Sequence, residues 1–368
     1  MRKTVPSRLR CAYLGDDALE RALGLKEWQA AGMLGGVCFM QSEENRSVKR
    51  AFASSTVPVV PFAHLSMAPL GVGAPRDCLY EIWFADGEIV RGEHGPVRYS
   101  HNDELLYGVI QIDERDVGLG QGQASSSKTL LHQASQRAYA ALFETLDAQG
   151  YPAIVRIWNY IADINGESSG LERYRQFNSG RQEGFLAGGR AVVGAVPAAS
   201  AVGMRQGPLT ICFLACRSDA ATPIENPRQV SAYRYPPQYG VTSPTFSRAN
   251  MVSLVGQEVL FLSGTASIVG HQTLHGGDVI AQVRETVVNI SAVLEEACRV
   301  RPGSGFTLAD LCCKVYVRDR ADVGALDAAL RATLGPAPDL LYVQADICRA
   351  DLAVEIEATA GHPVALSV

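Results

Sequence analysis

Val259-Leu260-Phe261-Leu262-Ser263-Gly264 is a short apolar run that stops on a Ser-Gly pair, and the elements after it decide the fold. A polar loop leads to Asp278, a residue type that caps helix N-termini. Val279, Val283, Val287, Ile290 and Leu294 then recur on one helical stripe, to about Arg299. Cys312-Cys313-Lys314-Val315-Tyr316-Val317-Arg318 reads as the next strand and 323–334 as a second helix. Leu340 to Cys348 and Leu352 to Thr359 read as closing strands.

The same order occurs upstream. Leu105-Leu106-Tyr107-Gly108-Val109-Ile110-Gln111 is a strand. A helix is expected over 128–149, with Leu131, Ala138, Leu142 and Leu146 on its stripe and Gly150 just past its end. A strand over Ile154 to Ile161, a helix over about 170–185 and a strand over Leu209 to Leu214 follow. The copies are offset by roughly 155 residues, a repeat of whole domains rather than of solenoid units. Each predicts an α+β module, a mixed sheet with helices on one face. The expected division is 1–225 for the first module with an extra N-terminal segment, and 226–368 for the second, which would carry the active site. Short strands and loops are expected over the first 75 residues, including Val57-Pro58-Val59-Val60-Pro61-Phe62. Leu79 to Phe84, the Asp86-Gly87 turn and Glu88-Ile89-Val90 look like a hairpin.

A length of 368 residues suits two domains at about 150 residues each. With 47% hydrophobic and 19% charged residues, the composition is that of a folded chain. The formal net charge of −5 argues against a polyanion-binding surface, while leaving room for a local basic pocket. No stretch approaches the roughly 20 apolar residues of a membrane span, and Met1-Arg2-Lys3-Thr4-Val5-Pro6 is followed by no apolar signal segment. Nine cysteines without a CxxC pair fit reduced thiols and a cytoplasmic setting better than a disulfide framework or a zinc site.

Between the copies, Gln229 to Gly240 and Ser243-Pro244-Thr245-Phe246-Ser247-Arg248 concentrate Tyr, Pro and Arg without helical or strand period, a loop suited to a planar anion. Gly166-Glu167-Ser168-Ser169-Gly170 matches a nucleophile elbow and makes a serine hydrolase using Ser168 one alternative, against a plain polar turn. The stretch 120–129 lacks the glycine that a phosphate loop places before Lys128, so a loop opening a helix is expected there. His271 and His275 lie among glycines, an unfavourable setting for a metal pair. In Leu352-Ala353-Val354-Glu355-Ile356-Glu357-Ala358 the alternation sends both glutamates to one face. They are either solvated on an edge strand or, if buried, proton-bearing acids. Lys314, Tyr316 and Arg318 share a face of their own strand.

Val354 to Ala358, the Ser263-Gly264 strand end and the element order resemble the RidA/YjgF-like, chorismate-mutase-like superfamily. Ser231-Ala232-Tyr233-Arg234-Tyr235-Pro236, the Ser243 to Arg248 segment and Ser263 to His271 are more specifically similar to chorismatases. The superfamily's imine deaminases carry a carboxylate-binding arginine in the strand before the last; Leu340-Leu341-Tyr342-Val343 has none, which weakens a deaminase reading, while a RidA-like small-ligand-binding protein stays as an alternative.

The chorismatase resemblance implies cleavage of the enolpyruvyl ether of chorismate, a small-molecule substrate, with release of pyruvate and no metal or organic cofactor. Glu355 would be the acid that protonates the methylene carbon. Arg234 and Arg248 would pair with the two carboxylates, Lys314 would add a charge, and Tyr235 or Tyr239 would donate to a carboxylate or ring hydroxyl. Cys348, just before the final strand, looks like the benzoate-forming kind, against the plain role of a small core residue. Ala266 would line the same pocket. The products implied are 3-hydroxybenzoate, sometimes with 4-hydroxybenzoate, or alternatively a dihydroxycyclohexadiene carboxylate. The assembly expected is a monomer or a trimer.

Overall fold

A computed structural model describes residues 8–19, 32–41, 60–72, 77–118, 128–217 and 221–367. The N-terminus 1–6, the run 57–59 and the stretch 120–127 lie outside the described residues.

The chain opens with β1 (Arg10–Leu14), β2 (Met33–Met40), β3 (Phe62–Ser66) and β4 (Cys78–Phe84). The first module holds β5 (Val90–His94), β6 (Val97–His101), β7 (Leu105–Ile112), α1 (Leu130–Gln149), β8 (Ala153–Ala162), α2 (Arg173–Ala187), β9 (Ala198–Met204) and β10 (Leu209–Cys216). The second module holds β11 (Ala221–Ile224), β12 (Ala249–Leu254), β13 (Gln257–Thr265) and α3 (Val279–Val300). It continues through β14 (Cys312–Val317), α4 (Val323–Leu334), β15 (Asp339–Gln344) and β16 (Val354–Ala360), and β17 (Val364–Ser367) follows.

The helix ends follow local chemistry. Thr129 caps α1 by accepting from the His132 amide at 3.3 Å, and Gly150 ends it at φ 74°, a left-handed value that glycine adopts without strain. Asp278 caps α3 by accepting from the Ala281 amide at 2.9 Å.

The sheet order in the first module is β9-β8-β10-β7-β6-β5. In the second it is β11-β12-β13-β16-β14-β15, with the short strand Pro69–Leu70 beyond β15. The N-terminal strands form β3-β2-β4-β1, with β17 returning beside β1. The sequence showed two copies of the module; the structure adds a third sheet of the same topology. In each case the second and third strands pair in parallel, the fourth lies antiparallel between the second and the first, and the order is third-second-fourth-first.

Burial follows from this arrangement. Helices α1 and α2 cover the outer face of the first module's sheet, and α3 and α4 that of the second. The inner faces of all three sheets meet in one core, where Phe39 of β2 and Tyr160 of β8 stand 6.1 Å apart and Lys314 of β14 lies 5.1 Å from the Phe39 ring.

Two expectations change. Leu79 to Phe84 forms no hairpin with Val90, because β4 is central and already hydrogen-bonded on both sides, to β1 and β2; Val90–His94 pairs instead with β6. Ala221–Ile224, on the first-module side of the expected division, pairs with β12 in the second sheet.

Candidate active site

Glu355 and Glu357 are buried, at 4% and 5% exposure, so they are not solvated edge residues. The reason is position: β16 lies between β13 and β14, not at an edge. Val354, Ile356 and Ala358 pack under the helices, which turns both glutamates toward the first module.

The two carboxyls have opposite surroundings. Glu357 accepts from Arg156 at 2.7 Å and Ser200 at 2.8 Å on one oxygen, and from Trp158 at 3.0 Å and Lys314 at 2.7 Å on the other. These donors offset its burial and hold it below the usual carboxylate range. Among the described residues Glu355 has no such set of donors, and the Cys348 thiol lies beside it. Burial, and then the charge of Glu357, push Glu355 up to about 8. A carboxyl in that state carries its proton near neutrality and can give it away.

The backbone of β13 is shaped around this acid. Pairing between β13 and β16 shifts between Leu262 and Thr265, a bulge that places Ser263 and Gly264 against one residue of the partner. A Cβ on Gly264 would stand 1.9 Å from Oε1 of Glu355, so only glycine leaves the carboxyl its place. Ser263 locks the bulge to the first module by accepting from the Ala199 amide and donating to the Ser247 carbonyl.

Glu355 looks into a cavity of about 220 Å³ between the modules. Ala199, Ser200 and Ala201 of β9 form one wall, Gly264 and Ala266 another, and Tyr235, Tyr239 and Phe246 of the inter-module loop a third. Three arginines line it with unpaired buried nitrogens: Nε of Arg248, Nε of Arg181 and Nη2 of Arg349. Arg248 is fixed by donating to the Val230 carbonyl at 2.8 Å and the Tyr235 hydroxyl at 2.9 Å. Arg349 lies 4.1 Å from the Tyr239 ring centre and donates to the His271 carbonyl and the Thr273 hydroxyl. Arg181 donates to Asn178 at 2.7 Å. A guanidinium nitrogen left without a protein partner on a cavity wall can donate to an acceptor placed there. Burial also raises the Cys348 thiol, to about 12, so it stays neutral beside Glu355.

Of the residues singled out in the sequence, Glu355, Cys348, Tyr235, Tyr239, Arg248 and Ala266 line this cavity. Two do not. Arg234 is exposed, its guanidinium over the ring of its neighbour Tyr233. Lys314 is buried at 2% exposure and spent on an ion cluster with Glu81 and Glu357, because its strand face points into the inner core. Arg181 and Arg349 had been missed. Arg349 follows Cys348 directly and was within reach of the same reading. Arg181 stands on the polar helix α2, where no motif marks it.

The other motifs resolve into structure. Ser168 lies on a two-residue strand, and its hydroxyl is bonded to Gln176. His271 meets the Tyr239 hydroxyl at 3.3 Å while His275 is 3.7 Å from Glu285, so the two do not converge. Leu341 and Val343 of β15 belong to the inner core.

A buried carboxyl that keeps its proton, beside three arginines that each have one nitrogen without a protein partner, suits acid chemistry on a small anion. The family model for "Chorismatase FkbO/Hyg5-like, N-terminal" matches residues 81–215. A 3-hydroxybenzoate synthase of Streptomyces hygroscopicus is 38% identical over 287 residues, covering 75% of this chain and 80% of that one. A chorismatase of Streptomyces rapamycinicus is 35% identical over 304 residues, covering 78% and 87%. A crystal structure of a chorismatase aligns with a TM-score of 0.81 at 28% identity, over 97% of this chain and 100% of the other. The protein belongs to the chorismatase family of enzymes.

Proposed function

We propose that the protein converts chorismate to pyruvate and 3-hydroxybenzoate, with Glu355 as the acid. The observation that carries this reading is the pairing of a neutral, enclosed Glu355 with a cavity lined by Arg181, Arg248 and Arg349. Chorismate has two carboxylates and an enol ether whose methylene carbon accepts a proton. Arg248 and Arg349 bind the carboxylates, since a guanidinium matches a carboxylate in two hydrogen bonds.

Glu355 gives its proton to the methylene carbon, which becomes a methyl group, and the ether becomes an oxocarbenium ion. The adjacent ionised Glu357 and the glutamate left by the transfer stabilise that cation. The ring C4 hydroxyl adds to the cationic carbon and loses its proton to Glu355. The C4–O bond then breaks as C3 loses a proton, which ends on the departing oxygen and makes it the hemiketal hydroxyl, and the ring becomes aromatic. The hemiketal left on the C3 oxygen falls apart to pyruvate and 3-hydroxybenzoate, with no net uptake of water. Attack by water instead would consume one water and give the dihydroxycyclohexadiene carboxylate. Cys348 against Glu355, and apolar Ala199, Ala201 and Ala266 around it, support the internal attack by leaving water little to bind.

The two modules of one chain line the cavity together, which supports a monomer. The nine free thiols support a cytoplasmic setting.

The test is incubation of the purified protein with chorismate, pyruvate being followed by a coupled assay and the ring product by chromatography with mass detection. Equimolar pyruvate and 3-hydroxybenzoate are expected. A diol would replace the internal attack by hydrolysis, and absence of pyruvate would overturn the reading.

A further inference from the structure

The N-terminal sheet does not touch the Glu355 cavity among the described residues, yet it supplies one charge to the group beside it. Glu81 of β4, at 3% exposure, is bonded to the Lys314 ammonium and accepts from Trp83 at 3.0 Å. Lys314 in turn holds Glu357, whose other oxygen is held by Arg156. The four charges come from three sheets: Glu81 from the N-terminal one, Arg156 from β8, Lys314 and Glu357 from the second module. Two cations and two anions leave the buried cluster formally neutral. Glu355 stands two residues from Glu357 on the same strand, with the Cys348 thiol beside it in the cavity lining.

We propose that this four-charge cluster sorts the single proton of the glutamate pair onto Glu355, and that Glu81 is therefore a positioning residue of the active site contributed by the N-terminal sheet. The physical argument is balance. With Glu81 present, Lys314 is shared between two carboxylates and Glu357 keeps enough negative charge to disfavour ionisation of Glu355. Without Glu81, both cations act on Glu357 alone, and the surplus positive charge favours an ionised, useless Glu355. The other charged or titratable groups around Glu355 are Arg156 of β8, Arg248 ahead of β12, Cys348 before β16, Tyr174 of α2, Tyr316 of β14 opposite it, and Arg181, Arg349 and Glu172 in the same cavity lining. None of them changes in the variants below.

The inference deepens the proposed acid role of Glu355, so its test includes a measurement that needs no turnover. The protonated carboxyl of Glu355 is read by infrared spectroscopy as the carboxylic C=O band that Glu355→Gln removes, titrated with pH. Glu81→Gln should lower the midpoint of that titration by about one pH unit, Lys314→Met should raise it, and the double variant, neutral again, should return it toward the parent value. Where chorismate is turned over, the alkaline limb of kcat/KM should move in the same three directions. A structural role for Glu81 alone would lower the melting temperature or the rate at every pH without moving the midpoint. A midpoint that does not follow the cluster's net charge overturns the proposal. A moving midpoint with no action on chorismate would keep it and discard the substrate.

Discussion

The molecule contains two seams built by the same rule; among the described residues one is hollow, lined around a cavity, and the other is filled by a chain of polar side chains. At the hollow seam, β9 of the first module packs against β13 of the second. At the filled one, β3 of the N-terminal sheet packs against β7 of the first module. In the hollow seam β13 carries a bulge at Ser263-Gly264, and Glu355 fills the strand position that pairs with Tyr316. In the filled seam the β7–β10 ladder runs without interruption, and the position that pairs with the corresponding Tyr160 is Thr210. Thr210 accepts from Gln111 at 3.3 Å, and Arg98 donates to Gln111 at 3.2 Å and across the seam to the Phe62 carbonyl at 3.0 Å. In the N-terminal sheet itself, Leu79 pairs with Phe39 at that place. One topology therefore yields a reaction chamber where a bulge and an acid coincide, and a packed joint where polar groups satisfy one another.

The strongest way to break this contrast is to remove the acid. Glu355→Gln should lower kcat on chorismate by on the order of 10²–10⁴-fold with binding largely kept, because a general acid acts in the transition state. Calorimetric affinity beside steady-state rates checks it, and near-normal turnover would make Glu355 a structural residue. On the proposed reading the parent enzyme works with Glu355 protonated, and burial sets the loss of that proton at a pH of about 8. Its kcat/KM should therefore be level below that pH and fall above it, by about tenfold per pH unit. A limb falling toward acid instead would contradict an acid role.

The bulge comes next. Gly264→Ala forces the carboxyl aside and should cost roughly 10²-fold in kcat, as displacements of about 1 Å do at reacting groups. Normal kinetics would mean that the bulge does not aim the acid. The arginines should matter less. Arg248→Ala or Arg349→Ala removes a charged partner, and about 10- to 100-fold weaker chorismate binding is expected, from the worth of hydrogen bonds to charged groups. Unchanged affinity in either would assign the carboxylate elsewhere. The filled seam should barely respond. Thr210→Val should change kcat/KM less than about twofold and stability by about 1 kcal/mol, read by denaturant unfolding. A large loss of activity there would erase the distinction between the seams.

The sequence by itself determined the two α+β modules, through apolar stripes at helical period, the Asp278 cap and the Gly150 stop, and the alternation that sends Glu355 and Glu357 to one face. These are local patterns, and local backbone chemistry enforces them wherever the chain sits. Resemblance carried the acid and the loop with Tyr235, Tyr239 and Arg248 into one pocket before any coordinates. The third sheet was not legible. Its strands are joined by long connections, and the partner that hides its edge, β17, is more than 300 residues away by pairing of Cys11 with Val364. Lys314 and Arg234 show the same limit at the level of side chains. A lysine on a strand says nothing of which cavity its face meets, and an arginine in a loop says nothing of which way the turn points it. Nothing in the sequence marks Arg181, because a polar helix face turned to a polar cavity has the pattern of one facing water. Only the packing of three sheets decided that Glu357 would be ionised and Glu355 neutral, since that difference comes from Arg156, Trp158, Ser200 and Lys314 converging on one carboxyl from two modules, with Glu81 behind them in a third sheet.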